Sequence, residues 1–446
     1  MMRMEDESEV KTKAAMKETG ATIVNEDSTK VQWAFLVGVQ TAESGPERTA
    51  ELLAELGELV RTLGLSINGH MTVKLRDINP RLLVGEGKAQ EIVDAATQAG
   101  ADVIIFDDFL TPSQQRNWES LATLAVIDRQ EVILDIFAAH AHTNEARLQV
   151  ELAQANYSLP RLKRRWTHLH RQRGMAGGMG MRGEGEQQLE VDSRIVRTRI
   201  AKLKVQLSAV RQHRQVQRSQ RLRKPVPVAA IVGYTNAGKS SLLNSLTQAT
   251  VLTEDKLFAT LDPTVRRLEL PDGQALLMAD TVGFIRKLPH MLVEAFHSTL
   301  EETAMADYLI EVLDATAASL EEHHDTTAQV LEEIGAGGKP SLLVLNKVDA
   351  LPDALSRQRL QRRFPDALLI SAVTGEGIAA LRGEMAELCR ATMTEMALLI
   401  PHSRYDQLTL VRKTCAILSE SYEDNGVHLT VRVPKAALST ISAFGA

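Results

Sequence analysis

The sequence predicts an α/β protein of four successive units: a small N-terminal α/β domain, an antiparallel helical hairpin, a phosphate-loop domain with a mostly parallel sheet, and a small C-terminal α/β appendage. Three observations predict it. Strand-like and helix-like apolar patterns alternate from Val31 and again from Val228, as they do in sheets covered by helices. A loop of the form G-x-x-x-x-G-K-S, Gly233 to Ser240, stands between an apolar run and an amphipathic one. Two heptad-like stretches flank a glycine-rich tract and carry a dense run of positive charge.

Composition sets the outer bounds. At 446 residues, a prior of about 150 residues per domain suggests about three domains. With 44% hydrophobic and 24% charged residues, the chain can bury large cores. No apolar run approaches the ~18 residues of a membrane span, and the acidic stretch Met1–Val10 lacks the apolar core of a signal peptide. The two cysteines, Cys389 and Cys415, make neither a disulfide framework nor a metal site, which fits a reducing, cytoplasmic location.

Residues 1–30 are short of large apolar side chains, rich in Glu, Asp, Lys and Thr, and are expected to form a largely disordered tail. The N-terminal domain is expected over 31–140. Trp33–Val39 reads as a strand, and Pro46–Leu63 as a helix with Leu52, Leu53, Leu56, Leu59, Val60 and Leu63 on its apolar face. Met71–Leu75 reads as a strand, Gly87–Ala99 as a helix and Val103–Phe106 as a continuous apolar strand. Pro112 stands at a helix-start position before a helix over Ser113–Leu124, and strand-like Ala125–Ile127 follows. Val84-Gly-Glu-Gly-Lys88 is a second glycine loop before a helix, without the trailing Ser/Thr. A tight turn that opens a helix is the bland account, and anion or RNA contact the functional one. Asp107-Asp108 sits at a strand end, where α/β ligand sites lie, but has no partnering base or metal-ligand spacing.

The hairpin is expected over 141–224. Leu148, Leu152, Ala155, Leu159, Leu162, Trp166 and Leu169 form one heptad-like seam, and Val196, Ile200, Leu203, Leu207 and Val210 another. Pro160 is expected to bend the first helix or to begin a new turn. Between the helices, Arg173 to Gly185 is too glycine-rich to order by itself. From Arg161 to Lys224 the chain has 18 Lys/Arg against 4 Asp/Glu, an excess of +14, within a net charge of −6. A merely solvated helix face would carry balancing Glu at i±4, and Glu is nearly absent here. Arg161, Lys163, Arg164, Arg165, Arg171 and Arg173, interleaved with Trp166, His168 and His170, can grip phosphates and stack on unpaired bases. RNA is favoured because no groove-reading DNA motif is present.

Over 225–400 the motifs follow strands in sequence. The loop Gly233, Tyr234, Thr235, Asn236, Ala237, Gly238, Lys239, Ser240 follows strand Val228–Val232 and opens a helix. Its backbone N–H groups can cradle phosphates, Lys239 can neutralise them and the Ser240 hydroxyl can ligate Mg²⁺. Asp280, Thr281, Val282 and Gly283 follow strand Ala275–Met278; the Asp can hold Mg²⁺ through water and the Gly N–H can sense a γ-phosphate. Asn346, Lys347, Val348 and Asp349 follow strand Ser341–Leu345. A carboxylate there can accept both N1 and N2 hydrogens of guanine, so Asp349 would select GTP over ATP. Ser371, Ala372 and Val373 follow strand Ala367–Ile370 and suit backbone contact with guanine O6. Each motif alone is weak, and four in this order make a P-loop GTPase domain.

Over 401–446 a compact appendage is expected. Tyr405–Glu420 reads as a helix with Leu408, Val411, Cys415 and Leu418 on one face. Val427–Val433 alternates as a strand, and Ala436–Phe444 reads as a short helix. His290, His297, His323 and His324 lack a metal-binding pattern. Glu294, Glu301 and Glu302 lie on the helix after the Asp280–Gly283 motif and read as a solvated helix face, the alternative being an acidic residue that orients the attacking water.

The whole chain resembles the HflX family of the Obg–HflX group of GTPases. The residues that carry the resemblance are Gly233 to Ser240, Phe258-Ala-Thr-Leu-Asp-Pro-Thr264, Asp280-Thr-Val-Gly-Phe-Ile-Arg-Lys-Leu-Pro289, Val84 to Ala89 and the glycine-rich linker. It implies a GTPase that binds the large (50S) ribosomal subunit and its RNA, splits stalled ribosomes and takes part in subunit maturation, as a monomer on the ribosome. It also places the first switch on Phe258, Ala259, Thr260, Leu261 and Asp262, with Thr260 as Mg²⁺ ligand; the residues alone do not separate Thr260 from Thr264. Lys239, Thr260, Gly283 and Asn236 are then the expected catalytic set. Asn236 is similar to an asparagine that coordinates K⁺ in some such GTPases, making K⁺ a second cofactor candidate beside Mg²⁺. Phe284 stands where Ras-like GTPases hold the water-orienting glutamine, so slow intrinsic hydrolysis is expected. The alternative is an RNA-remodelling protein acting in subunit maturation, with ATP used at the Gly85–Lys88 loop.

Overall fold

The computed structural model describes residues 31–41, 44–173, 184–221, 226–247, 257–258, 264–286, 302–391, 393–434 and 437–444, without the side chains of 162–190 and of most of 211–221. The tail before Val31, the glycine-rich tip at 174–183 and the first-switch residues Ala259, Thr260, Leu261 and Asp262 lie outside the described residues. So do His290, Glu294, His297 and Glu301. Two compact units divide within one long helix, between Leu207 and Ser208.

In the first unit, β1 (Trp33–Gln40), β2 (Ser66–Lys74), β3 (Val103–Phe106) and β4 (Ala125–Asp128) form a parallel sheet in the order β2-β1-β3-β4. Connecting them are α1 (Pro46–Thr62), α2 (Glu86–Gln98) and α3 (Pro112–Ala122). Parallel strands need such crossovers, and β1 and β3 are buried along almost their whole length, as a two-sided cover requires. Thr111 caps α3 through a reciprocal bond with Gln114. Trp118 is fully buried, with Nε1 donating to Leu82 O at 2.8 Å. The sequence pattern leaves α4 (Arg129–His140) unassigned; Asp128 starts it by accepting from Glu131 N.

Two long helices follow, α5 (Asn144–Arg173) and α6 (Glu184–Arg221). Pro160 does not divide α5, which runs through it as one helix. Its missing N–H removes a single ladder bond, and the flanking Ser158 and Arg161 side chains bond the carbonyls of Ala155 and Tyr157. On α6 the expected seam holds: Leu203 and Leu207 are buried, with Val196, Ile200 and Val210 half-buried. On α5 the expected seam residues Leu148, Leu152, Ala155 and Leu159 are half-buried. The fully buried stripe is instead Ala146, Val150, Ala153 and Tyr157. Arg199 of α6 donates from Nε to Glu151 of α5 at 2.9 Å.

In the second unit the six-stranded sheet has the order β10-β9-β8-β5-β7-β6. The strands are β5 (Val228–Gly233), β6 (Thr264–Glu269), β7 (Ala275–Asp280), β8 (Tyr308–Asp314), β9 (Ser341–Asn346) and β10 (Leu368–Leu369). All pairs are parallel except the edge pair β6–β7. Among the described residues the sheet is accompanied by the helices α7 (Lys239–Thr247), α8 (Leu320–Glu333), α9 (Ala354–Arg363) and α10 (Ile378–Ala391), and by a short helical stretch at 302–305.

The C-terminal sheet corrects the sequence-based expectation twice. It is antiparallel, in the order β11 (Thr394–Ile400), β13 (Gly426–Val433), β12 (Ala416–Glu423), packed with α11 (Tyr405–Thr414) and α12 (Leu438–Ser442). The expected helix to Glu420 ends at Thr414, because Cys415 is extended and seven of the next eight residues pair with β13, Leu418 being passed over at a register shift. Leu418, expected on the buried face, is 45% exposed. The boundary expected at 400/401 cuts this sheet, since Thr394–Ile400 pairs with β13 along its whole length.

Candidate functional site

The loops after β5, β7, β8, β9 and β10 gather at the carboxyl end of the parallel strands, the end where open α/β sheets hold ligands. Gly233 ends β5 at φ +139°, and a Cβ there would lie 2.1 Å from Val312 O of β8. Gly238 has φ +88°, and a Cβ on it would lie 2.2 Å from Asn346 Nδ2. Only glycine lets the loop turn this close to its neighbours. Asn236 takes the left-handed conformation, φ 58°, which asparagine tolerates, and its side chain is exposed.

Lys239 opens α7 and is buried, its Nζ donating to Tyr234 O at 2.7 Å and Gly233 O at 3.2 Å. Burial pushes its pKa down to about 8 against the opposing pull of the Asp280 carboxylate. Ser240 Oγ donates to Asp280 Oδ2 at 2.6 Å. Thus the hydroxyl and carboxylate singled out in the sequence, 40 positions apart, are in direct contact. Both are hard oxygen donors of the kind Mg²⁺ takes, and such sites need few protein ligands when phosphates complete the shell. Among the described residues no group of three or more His, Cys, Asp or Glu is placed to hold a metal by itself.

The start of the second switch is joined to the phosphate loop by backbone. Thr235 N donates to Phe284 O at 2.8 Å and Phe284 N to Gly233 O at 3.1 Å. Phe284 is 1% exposed. A Cβ on Gly283 would lie 2.8 Å from Lys239 Nζ and from Thr235 Cγ2, so Gly283, Lys239 and Thr235 converge. Thr281 is buried and spends its hydroxyl on Ile231 O at 2.6 Å; Val282 is buried beside it. Both hold the loop rather than offer a polar group.

Asn346 also ties loops together, its Nδ2 donating to Ala237 O at 2.9 Å and its Oδ1 accepting from Ala372 N at 3.0 Å. Lys347 has φ 65° and pairs with Asp314 at 2.8 Å. Val348 is buried, and Asp349 stands exposed in a 3-10 turn over Val348–Ala350. Ser371 is fully buried and accepts from Thr374 N at 3.1 Å, and Val373 is 83% exposed. Phe258, described without its first-switch neighbours, is buried with φ 59°.

Sequence reasoning missed the support behind the loop. Tyr234 is buried and stacks on His323, centroids 3.7 Å apart and planes 8° apart, while its hydroxyl accepts from Arg286 N at 2.8 Å. Arg286 pairs with Glu322 of α8 at 2.9 Å. No local pattern announces a stack between residues 89 positions apart.

Arg161, expected to bind RNA, is a structural arginine. It donates to Gln115 Oε1 at 2.7 Å, Leu110 O at 3.0 Å and Tyr157 O at 3.1 Å, pairs with Asp128 at 3.4 Å and lies over the Tyr157 ring. Nε, Nη1 and Nη2 each donate inside the fold, where Asp128 is fully buried. Lys163, Arg164, Arg165, Arg171 and Arg173 lie on α5, their side chains outside the described residues. Asp107 forms a buried pair with Arg129 at 2.7 Å, and Arg129 also meets Glu55. Lys88 pairs with Glu91 on the surface of α2. Among the described residues no helix is long and apolar enough to cross a membrane.

Comparison with known proteins gives the lineage. Three family models match in order: a GTP-binding GTPase N-terminal region at 50–138, a GTP-binding GTPase middle region at 140–221 and a 50S ribosome-binding GTPase at 228–347. The GTPase HflX of Akkermansia muciniphila is 45% identical over 430 residues, covering 94% of this chain and 98% of that protein. The GTPase HflX of Escherichia coli K12 is 43% identical over 395 residues, covering 87% of this chain and 91% of that protein. A solved structure of a GTP-binding protein from Sulfolobus solfataricus in complex with GDP is 26% identical, covering 80% of this chain and 98% of that one, with a TM-score of 0.43. With near full-length identity above 40% to relatives of one kind, the chain belongs to the HflX family of GTPases.

Proposed function

We propose that this GTPase binds the large (50S) ribosomal subunit in its GTP-bound form, splits stalled ribosomes into subunits and is released by hydrolysing GTP to GDP and phosphate. The observation that carries the reading is the convergence of Lys239, Gly283 and the Ser240–Asp280 pair beneath one glycine loop, within residues matching a 50S ribosome-binding GTPase. The loop from Gly233 to Ser240 supplies backbone N–H groups and the Lys239 ammonium to the phosphates. Ser240 and Thr260 would hold Mg²⁺, with Asp280 acting through water. The ion would supply charge neutralisation to the phosphates. Gly283 offers its N–H to the γ-phosphate, and Asp349 accepts from the guanine edge. Asn346 holds Ala237 and Ala372 so that the base and phosphate loops keep their spacing. Asn236 presents an exposed amide beside the phosphates, where K⁺ would bind. The cations of α5 and α6 supply affinity for ribosomal RNA.

The test is GTP hydrolysis by the full chain with and without purified large subunits, in K⁺ and in Na⁺ buffer. Stimulation of roughly tenfold or more by subunits, greater in K⁺, is expected. Equal rates with and without subunits overturn the ribosome-coupled switch, and equal rates in the two salts remove K⁺. ATP turnover that survives Lys239→Ala and is lost in Lys88→Ala would move the reading to RNA remodelling by the N-terminal domain.

A further inference from the structure

We propose that the Thr235 hydroxyl orients the attacking water in this chain, the task that a glutamine after D-x-x-G performs in Ras-like GTPases. The assignment rests on the GTPase reading of the same site and identifies one group within it. The residue after Gly283 cannot do this work. Phe284 has no polar atom in its side chain, is 1% exposed, and has both backbone groups bonded to the phosphate loop.

Thr235 is the residue directly across that bond, since its own N–H donates to Phe284 O at 2.8 Å. Its side chain therefore stands against the second switch. Thr235 Cγ2 and Lys239 Nζ each lie 2.8 Å from where a Cβ on Gly283 would be. One residue thus touches the glycine that meets the γ-phosphate and neighbours the lysine that neutralises it. Thr235 is 7% exposed, and its Oγ1 is buried with no hydrogen-bond partner among the described residues. A buried hydroxyl without a partner is unfavourable, and valine would fill the same space without that cost. Thr281, as deeply buried on the neighbouring strand end, spends its hydroxyl on Ile231 O at 2.6 Å. The unspent hydroxyl belongs to the residue whose Cγ2 packs toward Gly283.

A hydroxyl suits the task because it can accept one hydrogen bond and donate another at once. Thr235 Oγ1 accepts a proton of the water in hydrogen bonding and donates its own to a γ-phosphate oxygen, which holds the water in line. The water oxygen forms the new bond to the γ-phosphorus, and the bond from that phosphorus to the β–γ bridging oxygen breaks. One water proton passes to the phosphate released and the other to solvent, while the threonine keeps its own. Burial of both water and hydroxyl keeps bulk solvent from competing for either.

The experiment compares full-length Thr235→Val, Thr235→Ser and Lys239→Ala with the parent. It reads single-turnover GTP hydrolysis with Mg²⁺, and affinity for GDP and for a non-hydrolysable GTP analogue. Thr235→Val is expected to hydrolyse roughly 10- to 100-fold more slowly, with both affinities within about twofold of the parent. Thr235→Ser, which keeps the hydroxyl, is expected to restore most of the rate. Parent-like hydrolysis by Thr235→Val overturns the proposal, as does a loss of affinity equal to the loss of rate, which would mean ground-state phosphate binding. Should Thr235→Val not fold, Thr235→Ala against Thr235→Ser carries the same comparison. GTP binding undiminished in Lys239→Ala would instead defeat the GTPase reading of the loop, an outcome distinct from either.

Discussion

Lys239 shows how one side chain couples the loop to pH. Burial disfavours its ammonium, the Asp280 carboxylate supports it, and the balance is a pKa of about 8. Phosphate binding needs the ammonium, so nucleotide affinity of the free protein should fall as pH rises from about 7.5 to about 9. The fall should approach tenfold per unit above the pKa. Stability moves the other way in the same range. The unfolded lysine titrates near 10.5, so between about 8 and 10.5 the unfolded chain binds more protons and this group makes the fold more stable as pH rises. Calorimetric titration of GDP at several pH values, beside thermal melts, separates the two, and a pH-independent affinity would contradict the burial of the lysine. Most residues at this site were legible because glycine, lysine, serine and aspartate occur in short contiguous motifs whose chemistry is local. Thr235 and Tyr234 were legible only as members of the loop. What distinguishes them, an unspent hydroxyl and a ring stacked on His323, depends on residues far away in sequence.

At the scale of elements, the join between α5 and the N-terminal sheet is the least expected feature. Tyr157 Oη lies 3.1 Å from both Asp128 Oδ1 and Glu131 Oε2, and has one proton to give. Burial, followed by the neighbouring Asp128 and Asp135 charges, pushes Glu131 up to about 7, so that carboxyl carries its own proton at mildly acidic pH. Burial likewise raises Asp128, against the pull of Arg161. A folded-state pKa above the unfolded value of 4.5 means that the native state holds the extra proton between about 4.5 and 7. Stability from this group is therefore full below that window and lost as pH rises through it. Thermal melts should show a decline from about pH 5 to about pH 8 that Glu131→Gln flattens, by on the order of 1–2 kcal/mol. Arg161→Met, which leaves Asp128 buried without its cation, should cost roughly 3–5 kcal/mol while leaving RNA affinity unchanged. A loss of RNA affinity with no loss of stability would instead make Arg161 an RNA ligand. The sequence did not show this because Arg161 begins a run of cations, and composition cannot tell a cation turned inward from one turned out.

Over the whole molecule, a chain of net charge −6 is expected to bind RNA through a segment carrying +14. Replacing Lys163, Arg164, Arg165 and Arg171 with Gln should weaken binding to large subunits and lower its salt dependence. The slope should fall by about 0.7–0.9 for each phosphate that is no longer neutralised, with GTP affinity unchanged. An unaltered salt slope would place the RNA-binding surface elsewhere on the chain. Most of the architecture was readable in advance, since alternating strand and helix patterns and a seam along α6 report burial through periodicity. The C-terminal sheet was not. Leu408, Val411, Cys415 and Leu418 satisfy a helical period, yet pairing with β13 draws Ala416–Glu423 into a strand and recruits Thr394–Ile400 from across the expected boundary. The sequence by itself determined the chemistry of the loops, the order in which they follow their strands and the family to which they point, because each depends on neighbouring residues. Only the tertiary structure decided which hydroxyl is left unspent, which arginine turns inward and where the last sheet begins. Those depend on which distant segments exclude water together, and burial rather than residue type then sets what each side chain can do.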